Sequence, residues 1–479
     1  MEFHKNSRKL SSKLQHICTL SYSVVDIRAL TLVRHITTTH TVLVELTFFL
    51  TVIDRLIHLQ AGVQIKTLQQ TLQWQGLTIS DIDPNITVGG AIASNAHSSF
   101  DTIGDSIEKL EIVLANGDIL ETGRISKREV NRKLGLQTLE GEIYRKLSGL
   151  IEDNESLIEK IASNSKQTSI GYSRIAEVKQ KDGSFDLTPL FIGSQGTLGI
   201  ISEAVLRADF YSSDQTIVAI ITDSLEQAGE VADKIKKSSP TEATIYDGNL
   251  FKRAGDEGVR FSILKDVGEI GAIVYVRFND FSSRTQAQKL KKLKKALKNE
   301  KVTIISSVEK DIEDFAAIPA VTYNIVHNDK EANAIPLLDG AYIPHGRRAE
   351  FESDLEQLAA KHHRELPVVV NTITGTYRTF PELKLNVVSD KQKLFRLITD
   401  FAALIDSHNG AFVSEGGEGR LKANAAWGLL SEEEKELYAE IRKAFDPFGT
   451  LNAGVKQPNE IRSLVAALRT TYDNIQQLK

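Results

Sequence analysis

Two segments of this chain carry residue types suited to close approach of a ligand to the main chain. The first is Asp83-Pro84-Asn85-Ile86-Thr87-Val88-Gly89-Gly90-Ala91-Ile92-Ala93-Ser94-Asn95-Ala96-His97, and the second is Phe191-Ile192-Gly193-Ser194-Gln195-Gly196-Thr197-Leu198-Gly199-Ile200-Ile201-Ser202-Glu203-Ala204. Each sets glycines and small residues just before or inside an apolar run, so a flat ligand can lie on the backbone without meeting a Cβ atom. After Thr87-Val88, the Gly89-Gly90 pair opens a run from which backbone N–H groups can wrap a pyrophosphate, as nests and helix N-termini do. Ser94 and Asn95 add side-chain hydrogen bonds. A tight loop entering a buried helix would use the same residues, since glycine pairs are common in turns.

The elements around these segments follow from patterning. Leu56–Gln60 reads as a strand and Ile65–Gln75 as a helix with Ile65, Leu68 and Leu72 on one face. Asn116-Gly117 between the apolar runs Ile107–Leu114 and Ile119–Glu121 predicts a hairpin. Glu142–Ser163 reads as one helix, and Pro189–Arg207 as loop and strand. Thr216–Ile221, Ser224–Lys237, Ala243–Tyr246, Ala272–Phe278, Thr285–Asn299 and Val302–Ile305 form a β-α-β-β-α-β series, a split ferredoxin-like layer. Helices at Ala349–His362 and Lys391–Asp406 follow. In the tail, Ser431 and Glu434 form a capping box that opens a helix to Phe445, which Asp446-Pro447 ends.

In this order and with this filling, the two small-residue segments resemble the FAD-binding domain of the vanillyl-alcohol oxidase type. Gly193-Ser194-Gln195-Gly196-Thr197-Leu198-Gly199-Ile200 is similar to the family's Gly-Ser-Glu-Gly-Thr-Leu-Gly-Ile loop, with Gln195 in place of the acid. Phe445-Asp446-Pro447-Phe448-Gly449-Thr450-Leu451-Asn452-Ala453-Gly454 resembles the closing motif of D-lactate dehydrogenase and glycolate oxidase type enzymes, and Ser414-Glu415-Gly416-Gly417-Glu418-Gly419-Arg420 their Gly-Glu-His-Gly-x-Gly. The resemblance covers roughly Asp54 to Gln457. It implies an α+β fold, a PCMH-type FAD-binding domain with a ferredoxin-like cap domain: residues 1–208 as the flavin domain (1–53 atypical), 209–408 as the cap, and 409–479 returning to the flavin domain. It implies FAD as cofactor, held by Pro84, Thr87, Val88, Gly89, Gly90, Ser94, Asn95, Gly196, Ile200 and Ile201, with Asn452 on the flavin side of the active site. The implied activity is oxidation of a hydroxy acid such as D-lactate or glycolate by hydride transfer to the flavin.

The departures from the family are as informative. Met1–Ala61 contains no glycine and no proline, the first being Gly62 and Pro84, whereas the family has a glycine-rich flavin loop in this region. Either that lobe is degenerate or the reading frame before about Asp54 is not the native one, and the sharp compositional change favours the second. In either case a competing reading is that the product is a flavin-fold protein that holds FAD poorly and is inactive. Metal-dependent members carry a histidine segment in the cap. Its counterpart here, Thr372–Pro381, has no histidine, and Gly416 follows Glu415 where the family has another. No metal is expected, because such ions need three or four well-placed ligands. Arg378, Arg420 and Lys422 then become the candidates to hold a substrate carboxylate, which arginine does bidentately. Glu415 remains in the candidate active site, and His97, His345 and Tyr377 are candidate bases or hydrogen-bond donors, His97 foremost because it closes the first segment. Each also reads as an ordinary structural or surface residue. A sugar, lactone or other alcohol substrate stays open, and the electron acceptor is not specified.

Composition bounds the rest. With 41% hydrophobic and 25% charged residues the chain is an ordinary globular protein. Its net charge of −5 argues against a nucleic-acid partner. The single Cys18 excludes a disulfide framework and fits a cytoplasmic setting. No transmembrane segment or signal peptide is read from the sequence. The lysines of Thr285–Asn299 (Lys289, Lys291, Lys292, Lys294, Lys295, Lys298) form either a solvated face or a peripheral contact with the inner face of a membrane.

Overall fold

The computed structural model describes residues 50–98, 101–164, 168–265, 267–308, 310–326 and 333–468. Most of the glycine-free segment, with Cys18, lies outside the described residues. The chain divides into two units, one running to Phe210 and resuming at Val413–Ala467, the other beginning at Tyr211 and running to Phe412.

The first unit is built on β1 (Leu50–Ile53), β2 (Leu56–Gln60), β3 (Ile107–Val113), β4 (Ile119–Glu121) and β5 (Ile200–Arg207), ordered β1-β2-β5-β3-β4 with every pair antiparallel. Asp54 and Arg55, at φ 49° and 64°, turn β1 into β2, the two-residue geometry that matches strand twist. The Asn116-Gly117 hairpin forms as expected. Gly117 sits at φ 85°, its N–H donates to Leu114 O at 2.9 Å, and Asp118 O accepts from Leu114 N–H at 2.9 Å. Three helices follow from the same stretch: α1 (Ile65–Gln73), which buries Ile65, Leu68 and Leu72, α2 (Val88–Ser94) and α3 (Leu139–Asp153). The single helix expected over Glu142–Ser163 is in fact two, since a second begins at Glu155. Asn154 leaves helical geometry, and its side-chain amide donates to Leu150 O at 2.9 Å. A short polar side chain bonding its own backbone in this way competes with the helix.

The second unit opens with β6 (Thr216–Thr222), α4 (Leu225–Ile235), β7 (Glu242–Asp247), α5 (Gly248–Asp256), β8 (Ala272–Phe278), α6 (Ser283–Ala296) and β9 (Thr303–Ser306). Its spatial order β9-β6-β8-β7, all antiparallel, is the ferredoxin-like layer read from the sequence. After α7 (Ala317–Val326), the strands β10 (Leu338–Tyr342), β11 (Val368–Asn371) and β12 (Thr376–Thr379) extend the same sheet beyond β7 in the order β11-β12-β10. The helices α8 (Arg348–His362) and α9 (Val388–Ser407) pack on each other. One apolar core joins Ile217, Ala219, Ile221, Tyr246 and Ile273 of the sheet to Leu250 and Phe251 of α5 and Ile318, Val321 and Ile325 of α7.

The chain then returns to the first unit through α10 (Glu432–Phe445), which packs on α3 and buries Leu437, Tyr438, Ile441, Ala444 and Phe445. The expected capping box is present: Ser431 N–H donates to Glu434 Oε2 at 2.8 Å, and Ser431 Oγ accepts from Glu434 N–H at 3.2 Å. Among the described residues no helix is long and apolar enough to cross a membrane. Because the Ser431 hydroxyl satisfies an otherwise orphaned helix donor, Ser431→Ala should destabilise the protein by about 1 kcal/mol, read as a lower urea midpoint at unchanged slope.

Candidate active site

The first small-residue segment is a helix held by its start. Val88 N–H donates to Val63 O and Gly89 N–H to Ala61 O, both at 2.8 Å, while Gly90 N–H donates to Thr87 Oγ1 at 3.1 Å. The backbone donors expected to wrap a pyrophosphate at Gly89 and Gly90 are thus already engaged inside the chain. Gly89 is demanded by packing, because a Cβ there would stand 2.8 Å from Ala61 Cβ. Pro84 O accepts from Lys66 N–H of α1 at 2.9 Å. Ser94 Oγ donates to Gly90 O at 2.8 Å, and Asn95 closes α2 in the left-handed region at φ 48°. The Asn95 side-chain oxygen is buried without a hydrogen-bond partner. His97 follows, half-buried, bridged to Thr102.

The second segment docks on the carbonyl end of that helix. Gly193 N–H donates to Ile92 O at 2.9 Å and Gln195 N–H to Ala93 O at 2.8 Å, so these bonds do the work of a C-cap. Gly193, Gln195 and Gly196 all lie at positive φ, which coils the loop tightly. Thr197 Oγ1 donates to Ser194 O at 2.7 Å and meets the Tyr172 hydroxyl at 2.7 Å. Burial pushes the Tyr172 phenol up to about 12. Ile200 and Ile201 then enter β5 opposite Val113 and Ile112 of β3. Pairing with β2 stops at Glu203, with one further bond from Ala61 N–H to Ser202 O at 2.9 Å.

Gln195 ties in the C-terminal segment. Its Oε1 accepts from Gly419 N–H at 3.0 Å, and its backbone carbonyl accepts from Asn452 Nδ2 at 2.6 Å. A Cβ on Gly417 would come within 2.3 Å of the Gln195 amide. Asn452 is 1% exposed, and its Oδ1 has no hydrogen-bond partner. The turn before it is organised by Asp446, whose carboxylate accepts from Thr450 N–H and Oγ1 at 3.0 Å and from Leu451 N–H at 2.6 Å. Arg442 of α10 donates to the carbonyls of Val455 (2.6 Å), Leu451 (2.9 Å) and Asn452 (3.3 Å). Beneath them lies a fully buried ion pair, Glu418 Oε2 to Lys456 Nζ at 2.8 Å. Glu418 Oε1 also accepts from Gly171 N–H at 2.9 Å, and Lys456 Nζ donates to Ser169 O at 3.0 Å.

Of the sequence-derived candidates, His97, Glu415, Arg420, Lys422 and Asn452 belong to this unit, and His345, Tyr377 and Arg378 to the other. Glu415 is buried. The Arg420 guanidinium donates to Ala453 O at 3.1 Å and 2.5 Å, and burial lowers its pKa; both bonds hold the closing turn. Arg378 lies on β12 of the other unit. Strand register puts Ile273, Tyr246, Val369, Arg378 and Asp339 in one cross-strand row, and Tyr275, Thr244, Asn371, Thr376 and Tyr342 in the next on the same face. The adjacent Tyr377 points to the opposite face, where its hydroxyl donates to Glu352 Oε1 at 2.8 Å and its ring packs on Phe351 at 5.0 Å. Burial and the Glu352 carboxylate raise its pKa, so Tyr377 is a core residue rather than a base. At His345 burial lowers the pKa. Among the described residues no group of three or more His, Cys, Asp or Glu is arranged to hold a metal.

Sequence reasoning missed the junction at Gln195, the Arg442 clamp and the Glu418–Lys456 pair. The available signal was a pair of charges set singly within small or apolar residues, Gly417-Glu418-Gly419 and Gly454-Val455-Lys456.

Comparison with known proteins agrees with this geometry. Residues 30–123 match the family described as FAD binding domain, and residues 212–455 match the C-terminal domain of the FAD linked oxidases. The chain belongs to the FAD-linked oxidase family, and its cofactor is FAD. It is 23% identical over 457 residues to D-2-hydroxyglutarate dehydrogenase of Haemophilus influenzae, covering 88% of this chain and 44% of that protein. It is 21% identical to a glycolate oxidase subunit of Bacillus subtilis (80% of this chain, 70% of that protein) and 24% identical to D-lactate dehydrogenase of Archaeoglobus fulgidus (82% and 75%). The chain thus spans under half the length of the hydroxyglutarate dehydrogenase it matches. Among solved structures, 4-ethylphenol oxidase from Gulosibacter chungangensis superposes with a TM-score of 0.60 at 13% identity, over 87% of this chain and 80% of that one. p-Cresol methylhydroxylase gives 0.60 at 11% identity, over 85% and 78%. The α+β, PCMH-type flavoprotein fold is therefore the one this chain adopts.

Removing one partner of the buried pair strands the other in a medium that cannot solvate it. Lys456→Met should lower stability by about 3–5 kcal/mol, and Lys456→Met with Glu418→Gln should recover a measurable part of that loss. Chemical denaturation of the four proteins of this cycle checks both statements.

Proposed function

We propose that this protein is an FAD-dependent oxidoreductase that converts a 2-hydroxy acid to the 2-oxo acid. The observation that carries the proposal is the junction at Gln195. It joins both small-residue segments to the closing motif and leaves two buried amide oxygens, Asn95 Oδ1 and Asn452 Oδ1, with no donor from the protein. An unmet buried acceptor costs about 1–3 kcal/mol, and the hydroxyls and ring N–H of FAD are donors of the kind these oxygens lack. Pro84, Thr87, Val88, Gly89, Gly90, Ser94, Gly196, Ile200 and Ile201 are the further residues proposed to hold FAD. Bound there, FAD supplies the acceptor for the hydride of a carbon bearing a hydroxyl group.

The remaining roles fall to the chain's own residues. His97 takes the hydroxyl proton. Arg378 holds the substrate carboxylate. Glu415 and Arg420 fix the segment that presents Asn452. The named substrates of the relatives, D-2-hydroxyglutarate, D-lactate and glycolate, share a hydroxyl on the carbon next to a carboxylate, the group these residues would read. The proposal carries a cytoplasmic setting, at the inner face of the membrane.

A second reading concerns affinity and rests on the absence of glycine from Met1–Ala61. Backbone donors from a glycine-rich loop on that side would be missing. Each charge-assisted bond lost is worth about 1.5–3 kcal/mol, so losing two or three weakens binding by several powers of ten.

Two measurements check these readings. Protein made from this sequence should be isolated largely free of flavin, as read from its visible spectrum before and after acid precipitation; stoichiometric, tightly held FAD would overturn the second reading. Once loaded with excess FAD, the protein should lose its visible absorption on anaerobic addition of D-2-hydroxyglutarate, D-lactate or glycolate. Bleaching by none of them removes the hydroxy-acid proposal, while Arg378→Met should raise the concentration of acid needed by about tenfold or more.

A further inference from the structure

Helix α6 carries a charge pattern that the fold does not require. Gln286, Leu290 and Leu293 face inward. At about 100° per residue, Arg284, Lys291 and Lys295 fall on the opposite side, Lys298 follows in the turn just after the helix, and all four are exposed. They form a ridge, of which the part on the helix is about 17 Å long at 1.5 Å per residue. No acidic residue occurs between Phe281 and Asn299, so Lys291 faces Lys295 at helical neighbour spacing with no intervening counter-charge. Such like-charge pairs destabilise a helix. A solvated face would ordinarily mix both signs, and the whole chain carries a net charge of −5. On a flank, Lys289 is neutralised by Asp280 at 2.8 Å, which marks the outward residues as a separate set. The turn Lys236–Ser238 packs against α6 and brings exposed Lys237 to it. Phe281, just before the N-cap, is 68% exposed.

We infer that this ridge docks the protein on the surface of an anionic phospholipid bilayer. The outward face of a surface helix is convex, which suits a flat partner and offers no groove for a peptide. Its charges are almost all lysines, point charges suited to diffuse attraction, whereas nucleic-acid phosphate and base recognition favours the arginine fork and stacked aromatics in a channel. An exposed aromatic beside a basic stripe matches the interfacial layer of a membrane. Charges near such a surface each contribute about a fivefold gain in affinity, falling with salt. The inference deepens the location given above and rests on it for the choice of membrane face. Its test uses neither flavin nor substrate, so its failure would leave the oxidoreductase reading standing.

The experiment is flotation of the full chain with phosphatidylcholine vesicles, with or without 30% phosphatidylglycerol, at low and high salt. Binding is expected only to the anionic vesicles and should disappear at high salt. Lys291→Glu, Lys295→Glu and Lys298→Glu together should weaken it by well over a hundredfold, since neutralising three charges is alone worth about a hundredfold. The matching glutamines should give a smaller loss, with the circular dichroism of both triple variants unchanged. Reversing Lys146, Lys160 and Lys181, which changes net charge equally, should leave most of the binding. The inference is overturned by absence of binding to anionic vesicles, by equal loss in the two charge-reversal variants, or by tighter binding to duplex DNA than to vesicles at matched salt.

Discussion

The first unit depends on one residue that bonds through both its backbone and its side chain. Gln195 donates its N–H to the end of α2, accepts Asn452 on its carbonyl and accepts Gly419 on its side chain. It can do so because it sits in the left-handed region at φ 55°, which turns its N–H and C=O toward different segments. At 3% exposure a neutral amide needs no counter-charge, whereas a carboxylate would need ionic compensation or a proton. The substitution of glutamine for the acid typical of the family therefore keeps the acceptor and removes the charge.

Around that junction, several buried polar groups are densely satisfied. Arg442 collects three carbonyls, Asp446 three donors, and Glu418 and Lys456 each other together with backbone partners. Against this background the open acceptors of Asn95 and Asn452 stand out, since native interiors leave few such groups without a role. In the second unit, alternation along β12 separates two adjacent residues by function. Tyr377 belongs to the packing against α8, and Arg378 to the opposite face of the sheet, between Val369 and Asp339.

What the sequence disclosed was what local chemistry determines. The Asn116-Gly117 turn, the Ser431 capping box and the ferredoxin-like series all follow from neighbours a few residues apart. Helix α7 escaped, because Ala317–Val326 is apolar on nearly every side and has Pro319 in its first turn, leaving no contrast of faces to detect. The break at Asn154 escaped because a polar residue in a helical run usually signals only exposure. For the site, motif order named the segments, but their meeting was invisible. Gln195 reaches Gly419 across 224 positions, and no local pattern encodes that distance. The same holds for the donors of Gly89 and Gly90, whose engagement depends on where Ala61 and Thr87 come to rest.

The separation between Gln195 and Asn452, 257 positions, bears on how the protein is made. A chain emerging from the ribosome has both small-residue segments long before the residues that brace them. The second unit, whose strands pair mostly within its own span, can condense in the meantime. The first must wait with the Gln195 loop unsupported and its apolar neighbours exposed until α10 and the closing turn arrive. Long-range closure of this kind is slow. The interval makes the half-finished first unit, rather than the completed protein, the species most exposed to proteases and to aggregation during synthesis.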